Sequence, residues 1–103
     1  MGVYMMFLAL VRRKMEQFSE EEIAKLLDPE AERVRALYTQ GIFRAVWSRG
    51  GSVKGAVVQM ECASEAEAKS VLDSLPFAQH GIAEFELIPL LPYRGFAPLQ
   101  PAT

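Results

Sequence analysis

Residues 42–61 read IFRAVWSRGGSVKGAVVQME. Two runs rich in β-branched and aromatic residues flank Gly50-Gly51, and glycine tolerates the positive φ of a tight hairpin turn. The stretch therefore predicts a strand over 42–49, a turn, and a returning strand over 53–61. With a two-residue turn, Arg49 faces Ser52 and Phe43 faces Val58. One face then carries Phe43, Ala45, Trp47, Ala56, Val58 and Met60; the other carries Ile42, Arg44, Val46, Val57 and Gln59. A bulge at the glycines would shift this register by one and exchange the faces.

A helix is expected on either side of this hairpin. Upstream, Ser19 and Glu22 form an S-x-x-E capping box, with Phe18 and Ile23 placed as its hydrophobic staple. Asp28-Pro29 reads as a second start, with Asp28 as N-cap and Pro29 at the first helical position. The sequence thus predicts a short helix from Ser19, a break near Asp28, and a longer helix to Gln40. Val34, Leu37 and Tyr38 form the apolar face of that longer helix, and Gly41 ends it. Downstream, Ser64 and Glu67 form another capping box. The helix they open runs to about Leu75 and is stopped by Pro76. Phe77 to Gly81 then reads as a loop.

The two outermost runs are strands. Residues 3–11, VYMMFLALV, are apolar on both alternating faces, as in a strand covered on both sides; a short buried helix is the alternative. In residues 82–90, IAEFELIPL, Phe85 and Leu87 point one way and Glu84 and Glu86 the other, while Pro89 requires an edge or a strand end. The order β-α-β-β-α-β is the ferredoxin-like split βαβ arrangement, an α+β fold with a four-stranded antiparallel sheet. It occupies residues 1–92, and 93–103 form a proline-containing C-terminal extension that is neither helix nor strand. Two helices cover one face of such a sheet. Because the first strand is apolar on both faces, the second face calls for a second copy packed sheet against sheet, a dimeric α/β barrel.

Composition narrows the function. The chain has 103 residues, one domain's worth, and a net charge of −2 from 13 acids and 11 bases. That balance argues against a nucleic-acid partner, which selects for a basic stripe. One cysteine and one histidine exclude an intramolecular disulfide and a histidine-built metal site. The first apolar run is too short to span a bilayer, which takes about 20 residues. Its bases, Arg12, Arg13 and Lys14, follow it rather than precede it, the reverse of a secretory signal. No membrane association and a cytoplasmic location are the expectations.

Several stretches carry a family resemblance. Gly41-Ile42-Phe43-Arg44-Ala45-Val46-Trp47 resembles a Gly-x-aromatic-Arg-x-x-Trp stretch on the second strand of the muconolactone isomerase family. Ser74-Leu75-Pro76-Phe77 and Glu84-Phe85-Glu86-Leu87-Ile88-Pro89-Leu90-Leu91-Pro92 resemble that family's C-terminal part, and Met6-Phe7-Leu8 its start. The resemblance implies the dimeric α/β-barrel fold, with rings of dimers in some members. It also implies an enzyme without cofactor or metal that shifts a double bond within a small unsaturated lactone carboxylate. The chain departs from the family in having Ala45 where the family has a histidine, a longer loop between Leu75 and Glu84, and the Asp28-Pro29 break.

Such a reaction needs a group to move a proton next to a carbonyl, and positive charge or donors to hold the anion that develops. Glu84 and Glu86 share a strand face roughly 7 Å apart, either as acid and base or as a solvated, ion-paired face. Glu30 matches an acidic position on the family's first helix, and equally suits a helix N-terminus through the dipole. These three are the candidate catalytic residues. Arg44 is the candidate anion binder, because its fork matches a carboxylate; a structural pairing with Glu84 or Glu86 is the other reading. Trp47 suits a pocket wall or plain core. Phe43, Tyr38 and Tyr93 complete the candidate ligand contacts, the tyrosines through their hydroxyls or through ordinary packing. His80 reads as a surface loop histidine or a substitute for the absent family histidine. Cys62 reads as a small buried hydrophobe. Three functions follow: a cofactor-independent isomerase or related lyase acting on a small lactone or cyclic ketone, a non-catalytic small-molecule binder, and an oligomeric accessory protein.

Overall fold

The computed structural model describes residues 4–96; the start of the predicted first strand at Val3 and the extension beyond Phe96 lie outside them. The elements are β1 (Met5–Arg13), α1 (Glu20–Ala24), α2 (Leu27–Thr39), β2 (Phe43–Ser48), β3 (Gly55–Cys62), α3 (Glu65–Asp73), α4 (Pro76–Gln79) and β4 (Ala83–Leu90), with a 3₁₀ turn at Arg94–Phe96. The sheet order is β2-β3-β1-β4, and every neighbouring pair is antiparallel. This is the ferredoxin-like arrangement predicted from the element order.

Local signals set the helix starts. The Ser19 hydroxyl accepts from the Glu22 amide at 3.1 Å, and the Glu22 carboxylate accepts from the Ser19 amide at 3.2 Å. Ile23 is buried with Phe18 against it, as the staple requires. The second box closes on one side only. The Ser64 hydroxyl accepts from the Glu67 amide, but the Glu67 carboxylate takes the Ala63 amide instead of that of Ser64. The break between α1 and α2 falls at Lys25-Leu26, before the predicted Asp28. Asp28 and Pro29 sit inside the first turn of α2, where a missing N–H costs nothing because those amides have no intrahelical partner. The segment after Pro76 folds as α4 rather than as a loop, and the tail carries a 3₁₀ turn.

One layer of helices covers one sheet face. Phe7, Ala9, Val11, Phe43, Val58, Met60 and Cys62 pack there against Leu37 of α2 and Ala68 and Leu72 of α3. The opposite face presents Met6, Leu8 and Leu10 of β1, Val57 of β3 and Ile88 of β4, all part-exposed, together with exposed Trp47. Pro89 lies on edge strand β4, where a missing donor is tolerated.

The hairpin differs from its sequence reading, and the difference decides which side chains face the helices. The connection is not a two-residue Gly-Gly turn: the Arg49 amide donates to the Gly55 carbonyl, closing a longer loop. Phe43 pairs with Met60, a bulge follows at Arg44, and Ala45, Val46, Trp47 and Ser48 pair with Gln59, Val58, Val57 and Ala56. The extra residue at Arg44 reverses the alternation. Ala45 and Trp47, expected on the face of Phe43, lie on the opposite one, while Val46 and Ser48 take their place toward the helices.

Gly55 holds the hairpin against β1. Its φ is +153°, and a Cβ there would overlap the Val11 carbonyl oxygen. A Gly55→Ala variant is expected to lose roughly 2–4 kcal/mol of stability, from an unfavourable backbone conformation and a displaced strand. Urea unfolding monitored by Trp47 fluorescence measures the loss.

Candidate functional site

A cleft of about 320 Å³ opens between α2 and the ends of β1, β2 and β3. Its α2 wall is Leu27, Glu30, Ala31, Val34 and Arg35, spaced i, i+3, i+4, i+7, i+8, a single helix face. Its floor is Val11 and Arg13 from β1, Ser48 from β2, and Gly55 and Ala56 from β3; Phe77 of α4 closes one side. Arg13 continues the inward alternation of Phe7, Ala9 and Val11 past the end of the core. Ser48 reaches the cleft only because of the bulge at Arg44.

Glu30 is the one acidic side chain lining this cleft among the described residues. Its carboxylate accepts the Phe77 amide at 2.9 Å, which fixes its position and ties α2 to the start of α4. Burial pushes its carboxyl above the ordinary carboxylate range; the Phe77 hydrogen bond and the charge of Arg13 pull the other way without cancelling the shift. The Arg13 guanidinium lies 5.2 Å from the centroid of the Phe77 ring, a cation–π contact that holds it at the cleft. The result is a small, largely apolar cleft with one proton-accepting group and the Arg13 guanidinium, lined also by Arg35 and Ser48. Such a cleft can hold an anionic small molecule and move a proton on it.

The other sequence candidates lie elsewhere. Glu84 and Glu86 are on the open face of β4, at a hollow shared with Leu10, Arg12 and Arg49. Glu84 pairs with Arg12 at 2.7 Å, and Arg12 also holds Glu16, whose carboxyl it keeps below the ordinary range. The two strand glutamates thus share a face with each other, as predicted, but the sheet separates them from Glu30. Arg44 sits in the bulge and pairs with Glu61 at 3.3 Å, not with Glu84 or Glu86. Its hollow includes Tyr4, Ile42 and Glu67. Tyr38 is exposed on α2 beside Gly41 and Arg44, and Phe43 is fully buried in the core. Trp47 is 55% exposed on the open face. Tyr93 stacks edge-on with Phe96, ring centroids 4.9 Å apart, in an exposed segment. His80 caps α4 with its Nδ1 3.0 Å from the Pro76 carbonyl oxygen. Cys62 is buried, and burial pushes its thiol up. Among the described residues, no three His, Cys, Asp or Glu side chains are grouped to hold a metal ion.

Sequence reasoning passed over Arg13, Arg35, Ser48 and Phe77. The helical spacing from Leu27 through Glu30 to Arg35, and the two-residue spacing from Phe7 to Arg13, were signals able to find the arginines. Nothing local points to Ser48, whose orientation depends on a bulge. No helix among the described residues is long and apolar enough to cross a membrane. Comparison with protein-family models and with curated proteins finds no match to this chain.

Proposed function

We propose that this protein is a cytoplasmic, cofactor-independent isomerase of the muconolactone isomerase type. It shifts a proton, and with it a double bond, within a small unsaturated lactone or cyclic ketone carrying a carboxylate. The observation that carries this reading is Glu30, a part-buried carboxyl with raised proton affinity in an apolar cleft also lined by Arg13 and Arg35.

The step balances without a co-reactant. Glu30 takes a proton from the γ-carbon of the unsaturated carbonyl system, and the C–H electron pair moves into a dienolate. The same carboxyl returns a proton to the carbon beside the carbonyl, and the double bond reforms in its new place. A base whose pKa lies closer to neutrality is better matched to carbon acids than an ordinary carboxylate. Ser48 lines the same cleft and is the hydroxyl available to donate to the developing oxyanion.

The working unit in this proposal is a homodimer. The open sheet faces, with Met6, Leu8, Leu10, Val57 and Ile88, would pack on each other as a barrel-like core. That accounts for the apolar character of both faces of β1. It also leaves each helix-side cleft open to solvent.

The test is a proton NMR time course in D₂O with muconolactone and related unsaturated lactones. Protein-dependent deuterium uptake or double-bond migration is the expected result. Selective line broadening of one lactone without exchange would replace the isomerase reading with that of a small-molecule binder.

A further inference from the structure

We infer that Arg13 and Arg35 together form the carboxylate-binding subsite of the cleft and set its preference for anionic ligands. The inference rests on reading the cleft as a ligand site, and it replaces Arg44 in that role.

The first ground is pairing. Arg12 is held by Glu16 and Glu84, and Arg44 by Glu61. Arg33 donates to the Ser74 hydroxyl, and Arg49 to the Val11 carbonyl. Arg13 and Arg35 have no carboxylate within ion-pair distance among the described residues, and both line the Glu30 cleft. The second ground is placement. They come from different elements, the end of β1 and the middle of α2, and line the cleft from two sides. Phe77 holds Arg13 by its ring face, leaving the donors of the guanidinium available to a ligand.

The third ground is charge and size. With Glu30 ionised the cleft carries a net positive charge, and more so with Glu30 protonated, so an anion entering it meets attraction in both states. Glu30 and Arg35 are five residues apart on one helix, a rise of roughly 7.5 Å. The cleft volume of about 320 Å³ suits a small carboxylate and is too small to enclose a long-chain fatty acid.

The experiment compares muconolactone with its methyl ester by isothermal titration calorimetry. The proteins are the parent, Arg13→Gln, Arg35→Gln, the double variant, and Lys69→Gln on the outer surface of α3 as control. The parent and the control are expected to bind the acid at least tenfold more tightly than the ester. Each single arginine variant should lose about tenfold in affinity for the acid, and the double variant roughly a hundredfold, with ester affinity nearly unchanged. Removing these side chains breaks no side-chain hydrogen bond or ion pair among the described residues, and matching thermal melts would establish that the variants fold. Equal binding of acid and ester by the parent, no binding of either, or retained acid preference in the double variant overturns the inference. Acid-selective binding that vanishes in the double variant, without exchange in D₂O, would uphold the subsite and remove the isomerase reading. Exchange without acid preference would do the reverse.

Discussion

A Glu30→Gln variant is expected to lose roughly 10²- to 10⁴-fold in turnover, the usual contribution of a positioned general base, while ligand affinity changes little. The amide keeps an oxygen able to accept the Phe77 amide, so the link between α2 and α4 persists. What disappears is the capacity to take a proton. Deuterium incorporation into the lactone, followed by NMR with a binding isotherm on the same sample, separates the two effects. Equal turnover in parent and variant would show that Glu30 is not the base and would move attention to the open-face pair, Glu84 and Glu86.

The same substitution carries a stability signature of defined sign. Burial raises the Glu30 carboxyl above its ordinary value of 4.5, so the folded state binds this proton more tightly than the unfolded chain. Its contribution to stability is therefore fully present below the unfolded pKa and is lost as pH rises through the folded pKa. Glu16 behaves oppositely: Arg12 lowers its pKa, so its contribution is present above the unfolded pKa and is lost on acidification. Both proteins share Glu16, and it cancels in their difference. The parent should accordingly become less stable relative to Glu30→Gln as pH rises from the ordinary value of 4.5 through the higher pKa of the folded state. Chemical unfolding at several pH values measures that difference, and a trend of opposite sign would mean that Glu30 is stabilised as the carboxylate. In turnover, the ascending limb of the pH profile should lie above the ordinary carboxylate range.

Replacing Leu8 with glutamate is expected to turn the proposed dimer into a monomer. Leu8 lies at the centre of the open face, on β1 between Gln59 of β3 and Ile88 of β4. In one chain it is part-exposed, so a glutamate there meets water and the protomer still folds. In a two-fold sheet-on-sheet contact the substitution occurs twice, placing two unpaired carboxylates in an apolar interface. A cost of roughly 3 kcal/mol for each raises the dimer dissociation constant by about four orders of magnitude. Sedimentation velocity at micromolar concentration should give a dimer for the parent and a folded monomer for the variant. A monomeric parent would overturn the dimer proposal and leave the exposed Trp47 and its neighbours without that explanation.

The order of the strands, the helix starts at Ser19 and Ser64 and the inward face of β1 were legible in the residues because each depends on neighbours close in the chain. Ser19 and Glu22 make a box within one turn, and the alternation of Phe7, Ala9 and Val11 names the inward face of β1 whatever lies beside it. Glu30 was legible as a candidate, although its burial was not. The hairpin register was not legible. Gly50-Gly51 looks sufficient for a turn, yet the chain closes between Arg49 and Gly55 and places its extra residue at Arg44. Strand alternation has a period of two, so that bulge sends Trp47 to the open face and brings Ser48 into the cleft.

The sequence by itself determined a βαββαβ chain with a strand apolar on both faces and an acidic side chain early in its longer helix. Those features follow from capping, periodicity and hydrophobicity, which act over a few residues. Only the tertiary structure decided which charged groups meet. Arg13, Arg35 and Glu30 gather on one side of the sheet, while Arg12, Glu84 and Glu86 gather on the other. That sorting depends on cross-strand register and on how α2 lies across the sheet ends, long-range pairings that no local stretch of the chain encodes.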